Sequence, residues 1–159
     1  MVVTDAAGER DQVERLFTAL AANRLDEFLL GCSDRMLITL RGTGTTSTIL
    51  SRSEVPAWWE GLHSLADGSL SSHVVLTMTA SVAQVVILRH TFVLEGRSRR
   101  YDTVNCCTLH QGTIAAWFSR PLDLADYAEA WGIRTTAPTR SARSGSRASI
   151  PLVHGPGRS

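Results

Sequence analysis

His90 and Asn105 are the side chains whose types and spacing point most directly to chemistry. His90 lies in the run Val85-Val-Ile-Leu-Arg-His-Thr-Phe92 and Asn105 in Tyr101-Asp-Thr-Val-Asn-Cys-Cys107, both rich in β-formers. Alternate strand residues share a face, so His90 sits with Leu88 and Phe92, and Asn105 with Tyr101, Thr103 and Cys107. Polar atoms among such neighbours need a partner or a ligand. Burial disfavours imidazolium, which leaves His90 a neutral base near pH 7, and an amide at Asn105 can donate to an oxygen gaining negative charge. The bland alternatives are a core histidine bonded to backbone and a structural cross-strand amide. If both faces line one cleft, the two residues lie close together.

Tyr101 supplies a general acid or a pocket wall, whereas Asp102 falls on the opposite face, exposed or at an interface. Trp58 and Trp59 occupy adjacent helix positions, so one is expected to pack the core and the other to line the cleft or a dimer contact. Phe17, Leu88, Phe92, Thr103 and Cys107 complete the expected apolar pocket. His63, His73 and His110 stand at loop or strand ends, and with Cys32, Cys106 and Cys107 scattered, no metal site is expected.

The elements that must position these groups follow from periodicity. Ala7–Leu20 reads as an amphipathic helix through Val13, Leu16, Phe17 and Leu20, and Leu25, Phe28 and Leu29 continue a second one up to Gly31, a residue that tolerates positive φ. Short strands are expected at Arg35–Arg41 and Ser47–Leu50. Ser53 offers an N-cap and Pro56 a first-turn residue for a third helix ending near Ala66-Asp67-Gly68. His73–Ala80, Val85–Glu95, Tyr101–His110 and Thr113–Ser119 then form an antiparallel meander, with turns at Gly96 and at Gln111-Gly112. Leu122–Trp131 is a short closing helix, stopped at Gly132. Helices followed by a meander predict an α+β domain with the helices over the concave face of a curved antiparallel sheet.

Composition narrows the function. The 159 residues fit one domain, expected at 1–133. All 16 basic residues are Arg, so Schiff-base chemistry, a lysine-anchored pyridoxal cofactor and a Walker-type phosphate loop have no lysine to use. No cofactor is expected. Residues 134–159 hold five Arg and no acid, whereas 1–133 hold 11 Arg against 15 acids, a net −4. The tail 136–159 is too poor in apolar residues to offset ordering entropy, is expected to be disordered, and should add little stability. Its sparse Arg residues, without aromatics, argue against nucleic-acid binding. Without an export signal or an apolar span, a cytoplasmic protein off the membrane is expected.

The order of elements resembles the SnoaL-like branch of the nuclear transport factor 2-like superfamily over about residues 8–132. So do Val86-Ile-Leu-Arg-His90, Leu94-Glu-Gly-Arg97, Leu109-His-Gln-Gly-Thr-Ile-Ala-Ala-Trp117 and the closing Pro121-Leu-Asp to Trp131. The resemblance implies a cone-shaped α+β barrel, commonly dimeric, in a superfamily of ketosteroid isomerases, polyketide cyclases, epoxide hydrolases, dehydratases and proteins that only bind. It places an oxyanion donor at Asn105. The carboxylate base and first-helix tyrosine of the isomerases are replaced by Leu37-Ile-Thr-Leu-Arg41 and Arg15-Leu-Phe17, and Trp117-Phe-Ser119 stands where the cyclases carry a carboxylate. The expected function is a small-molecule lyase, isomerase or cyclase of secondary metabolism acting on a hydrophobic substrate. The alternative is a non-catalytic ligand-binding or dimerisation module. A homodimer is expected through the outer sheet face carrying Val104 and Cys106.

Overall fold

The computed structural model describes residues 5–42 and 47–133, so the expected tail at 134–159 lies outside the described residues. Asp5 caps α1 (Ala6–Ala21) by accepting from the Ala7 amide at 3.2 Å, and Val13, Phe17, Ala19 and Leu20 face inward. The break after α1 falls at Asn23, which takes the left-handed conformation at φ 60°. Gly31, after α2 (Leu25–Leu30), keeps φ −86°, so its role differs from the one expected. A Cβ there would run into both Leu16 δ-methyls: this glycine is needed for close approach, not for a left-handed turn.

Two further local expectations are corrected. The third helix, α3 (Val55–Leu65), is entered through a 3₁₀ turn at Arg52–Glu54. Ser51 rather than Ser53 caps that turn, with the Glu54 carboxylate accepting from the Ser51 amide at 2.7 Å and from its hydroxyl at 2.9 Å. The second correction lies in β3 (Ser71–Ala80), where a bulge between Val74 and Leu76 breaks the expected alternation. Val74 points inward opposite Leu88, while Leu76 and Met78 turn outward beside Ile87 and Val85.

The sheet runs β2-β1-β6-β5-β4-β3, with β1 at Cys32–Arg41, β2 at Ser47–Ser51, β4 at Ala83–Leu94, β5 at Arg97–His110 and β6 at Thr113–Pro121. It is mixed rather than antiparallel throughout, because β1 pairs parallel to β6. It also stays open, with β2 and β3 as edges, so the barrel expected from sequence is a curved, unclosed sheet. Glu95-Gly96 and Gln111-Gly112 have positive φ at both positions, the geometry of two-residue hairpins whose twist matches the strands. Strands β3 and β5 begin earlier than expected, at Ser71 and Arg97, because backbone pairing carries polar residues into the ladder. α1 packs on β3 and β4, and α4 (Leu124–Ala130) on β5.

On the inner face, two apolar clusters are built. The larger joins Val13, Phe17 and Phe28 to Val86, Leu88 and Trp117; the smaller joins Ala66 and Leu70 to Phe92, Tyr101 and Ala130. Across the outer face the register aligns Ile49, Thr39, Phe118, Cys106, Val85 and Met78 in one row over six strands. Ile49 and Met78 are 64% and 47% exposed.

Candidate functional site

The same register carries the polar residues. His90 stands opposite Ser72 on one side and Tyr101 on the other; Leu88 is opposite Thr103, and Val86 opposite Asn105. All point inward, so the parity that groups His90 with Leu88 and Phe92 places these side chains at the seam between the two apolar clusters.

His90 is 3% exposed and both ring nitrogens are engaged. Nδ1 lies 2.8 Å from the Ser72 hydroxyl and Nε2 lies 3.0 Å from the Thr103 hydroxyl. The Tyr101 ring stacks on the imidazole with centroids 4.8 Å apart, and Trp59 meets it edge-on at 6.5 Å. Burial pushes the His90 pKa down to about 4, opposed by the negative charge of Asp102 and reinforced by His63 and His73, so the ring is neutral at pH 7. Burial likewise holds the Tyr101 phenol above its ordinary range, an effect that Tyr127, 5.1 Å away ring to ring, strengthens.

Asn105 is 1% exposed. Its Oδ1 accepts from Trp117 Nε1 at 2.9 Å, and its Nδ2 donates to Val86 O at 3.3 Å and Thr103 Oγ1 at 3.1 Å. Trp117 can only donate, so the amide orientation is fixed by chemistry and both Nδ2 hydrogens are committed. The amide therefore offers no free N–H to a ligand; it holds Thr103. The result is one line of side chains from the core to the edge strand: Trp117, Asn105, Thr103, His90, Ser72.

The other residues named from sequence divide by place. Trp59 is buried and donates from Nε1 to Asn23 Oδ1 at 2.7 Å, while half-buried Trp58 meets Trp117 edge-on at 5.7 Å. Phe17 packs against Trp117 at 5.2 Å and Phe28 at 5.5 Å, and Cys107 is buried in the same cluster, its thiol pushed far up by burial. Phe92 belongs to the smaller cluster and stacks on Trp131 at 4.3 Å. Asp102 lies on the outer face in a two-pronged pair with Arg89, at 2.9 and 3.0 Å, which lowers its pKa.

Sequence reasoning missed Ser72, because the strand was started one residue later, at His73; carrying the pairing of β4 back by two residues would have found it. His63, expected at a loop or strand end, is corrected to the last turn of α3. It sits on α3 with its ring edge-on to Trp59 at 5.5 Å, and its Nε2 is buried without a hydrogen-bond partner among the described residues. Among the described residues no three His, Cys, Asp or Glu side chains gather as metal ligands, and no helix is long and apolar enough to cross a membrane. A separate groove of about 240 Å³ between β5 and α4 is lined by Ser98, Arg99, Arg100, Asp126, Glu129 and Ala130, a mixed set of opposite charges.

No protein-family model matches the sequence, and none of the curated proteins does. Solved structures do match. Bal32a, from a soil-derived mobile gene cassette, aligns with a TM-score of 0.68 at 13% identity over 79% of this chain and 98% of its own. IdmH from Streptomyces antibioticus, a proposed polyketide cyclase, aligns at 0.62 and 13% over 76% and 96%, and TerC, co-crystallised with polyporic acid, at 0.61 and 15% over 76% and 98%. The chain has the α+β fold shared by these proteins and by a Xanthomonas campestris protein described as having a cystatin-like fold, with which it aligns at 0.64 and 14% over 77% and 97%.

Proposed function

We propose that the chain is a small-molecule enzyme of the SnoaL-like kind, an isomerase, cyclase or lyase of secondary metabolism that works by acid–base chemistry of its own side chains. The observation that carries this is the neutral His90 buried at the seam of two apolar clusters, wired through hydroxyls rather than locked to backbone. Both ring nitrogens face side-chain hydroxyls, groups that can accept or give a proton. Tyr101 forms the wall on which the ring stacks, Asn105 acts through Thr103, and Trp58 and Trp59 roof the apolar side. The fold shared with IdmH and TerC supports an aromatic or polycarbonyl ligand.

The expected result with a panel of linear and polycyclic polycarbonyl compounds is turnover by the native chain and none by His90→Ala, whose fold is verified by its circular dichroism. Asn105→Ala lowers kcat by about fivefold to 160-fold, the rate equivalent of about 1–3 kcal/mol for a buried hydrogen bond. Undiminished turnover by His90→Ala would sink the proposal. A second reading, a binding module, is favoured by the engagement of both His90 nitrogens and by the absence of the isomerase carboxylate, Leu37-Ile-Thr standing in its place. It requires saturable ligand binding with no turnover.

We further propose a homodimer through the outer row from Ile49 to Met78, whose two edge residues are exposed and whose Phe118, Cys106 and Val85 are only partly buried, an apolar strip that is costly to leave in water. Sedimentation at tens of micromolar should give twice the 17.3 kDa chain mass. Monomer alone at that concentration overturns it.

A further inference from the structure

The line of hydrogen bonds has a direction. Trp117 Nε1 has a hydrogen and no lone pair to accept with, so it must donate to Asn105 Oδ1, which turns Asn105 Nδ2 toward Thr103 Oγ1 as a second donor. Thr103 Oγ1, having accepted, carries one hydrogen, and the neutral His90 Nε2 is 3.0 Å away. If Thr103 gives that hydrogen to Nε2, the ring proton belongs on Nδ1, which then donates to Ser72 Oγ at 2.8 Å. Between Trp117, which only donates, and Ser72 at the far end, each of Asn105, Thr103 and His90 accepts from one neighbour and donates to the next, the arrangement in which successive bonds polarise and strengthen one another. The opposite sense would make Thr103 accept twice and move the hydroxyl hydrogen that has no acceptor among the described residues from Ser72 on the edge strand to Thr103 on a central strand, farther from any ligand or water.

Ser72, accepting from His90, has no acceptor among the described residues for its own hydroxyl hydrogen. It is half-buried on the edge strand, where the line ends. We infer that the Trp117–Asn105–Thr103 line holds His90 as the Nδ1–H tautomer and presents the Ser72 hydroxyl hydrogen to a carbonyl or enolate oxygen of the ligand. Ser72 is thereby the ligand-touching donor; Thr103, Asn105 and Trp117 are positioning residues. This rests on the proposed ligand-binding role of the interior but assigns it a new group and a ligand class, oxygen acceptors carried on an apolar frame. The polarity also inverts the role of His90: the ring backs a donor, so the charge it helps to stabilise is negative and on the ligand.

The tautomer can be read without any substrate, from long-range proton–nitrogen correlation spectra of the 15N-labelled full chain at pH 7, with His90→Gln to assign the signals. A protonated Nδ1 and an unprotonated Nε2 are expected. Thr103→Val should shift the ring toward the Nε2–H form, and Trp117→Phe, which keeps a ring but removes the N–H, should weaken the Nδ1–H preference. A native ring protonated at Nε2 overturns the inference. The ligand arm uses 2-naphthol against naphthalene: 2-naphthol should bind more tightly, and Ser72→Ala should weaken it about tenfold while leaving naphthalene unchanged. Equal binding of the two probes, or no effect of Ser72→Ala, overturns the assignment of Ser72. Failure of turnover with both arms positive overturns the enzyme reading alone.

Discussion

Trp117→Ala is expected to lower folding stability by about 3–5 kcal/mol, the range for truncating a buried aromatic side chain. The indole is 2% exposed and stands at the meeting point of Phe17, Phe28 and Trp58, each edge-on to it within 5.7 Å. Three elements therefore lose a shared contact at once: α1 through Phe17, α2 through Phe28 and α3 through Trp58. A cavity between helices and sheet cannot collapse easily when both walls are ladders and helices, so relaxation recovers little. Trp117→Phe separates the parts, because it keeps much of the ring area and strands the Asn105 carbonyl, at about 1–3 kcal/mol. Urea unfolding of the three chains measures both. A loss below about 1 kcal/mol for Trp117→Ala would mean that the helices do not depend on this contact.

The second large effect is acid lability above the range where carboxylates titrate. The His90 pKa is about 4 when folded against 6.5 for the free side chain, so between these values the unfolded chain binds the extra proton. Stability therefore rises with pH through that window and is lost as pH falls through it. Between pH 7.5 and 4.5 the loss is about 2–3 kcal/mol, at about 1.4 kcal/mol per unit of separation. His63, whose pKa is also lowered by burial, acts with the same sign. Asp102, held below its ordinary 3.8 by Arg89, adds its loss only at still lower pH. Urea unfolding at the two pH values should show the drop in the native chain and a markedly smaller one in His90→Gln. An identical drop in both would assign it elsewhere.

What was legible in the sequence followed from strand parity. Val86, Leu88, His90 and Phe92 read as one face and are one face, because β4 has no bulge in that stretch and its hairpin turn carries glycine at the position that needs it. The order of elements likewise came through, since α1 and α3 have apolar residues at helical spacing. Three features were not legible, for physical reasons. The bulge at Val75 has no local marker, so the outward turn of Leu76 and Met78 could not be anticipated. The parallel pairing of β1 with β6 joins residues more than seventy positions apart, which no window of periodicity reaches. Ser72 is a small polar residue at a strand end, indistinguishable from a loop residue until His90 is seen opposite it.

Two-residue hairpins at Glu95-Gly96 and Gln111-Gly112 have a consequence for how such a chain can change over generations. Tight turns of this geometry have no slack with which to take up an added or missing residue, and a strand slipped by one position presents its other face. One codon gained in β4 ahead of Arg89 would put Arg89 where His90 stands at the seam of the clusters, a guanidinium among aromatic rings with the imidazole outside, and one codon lost there would bring Thr91 into the same place. Substitutions along 83–121 can each be judged by size and polarity, but a change of length there rewrites every contact downstream at once. Descent by point substitution, with the length of this meander held constant, is thus the route along which the site can vary without being dismantled.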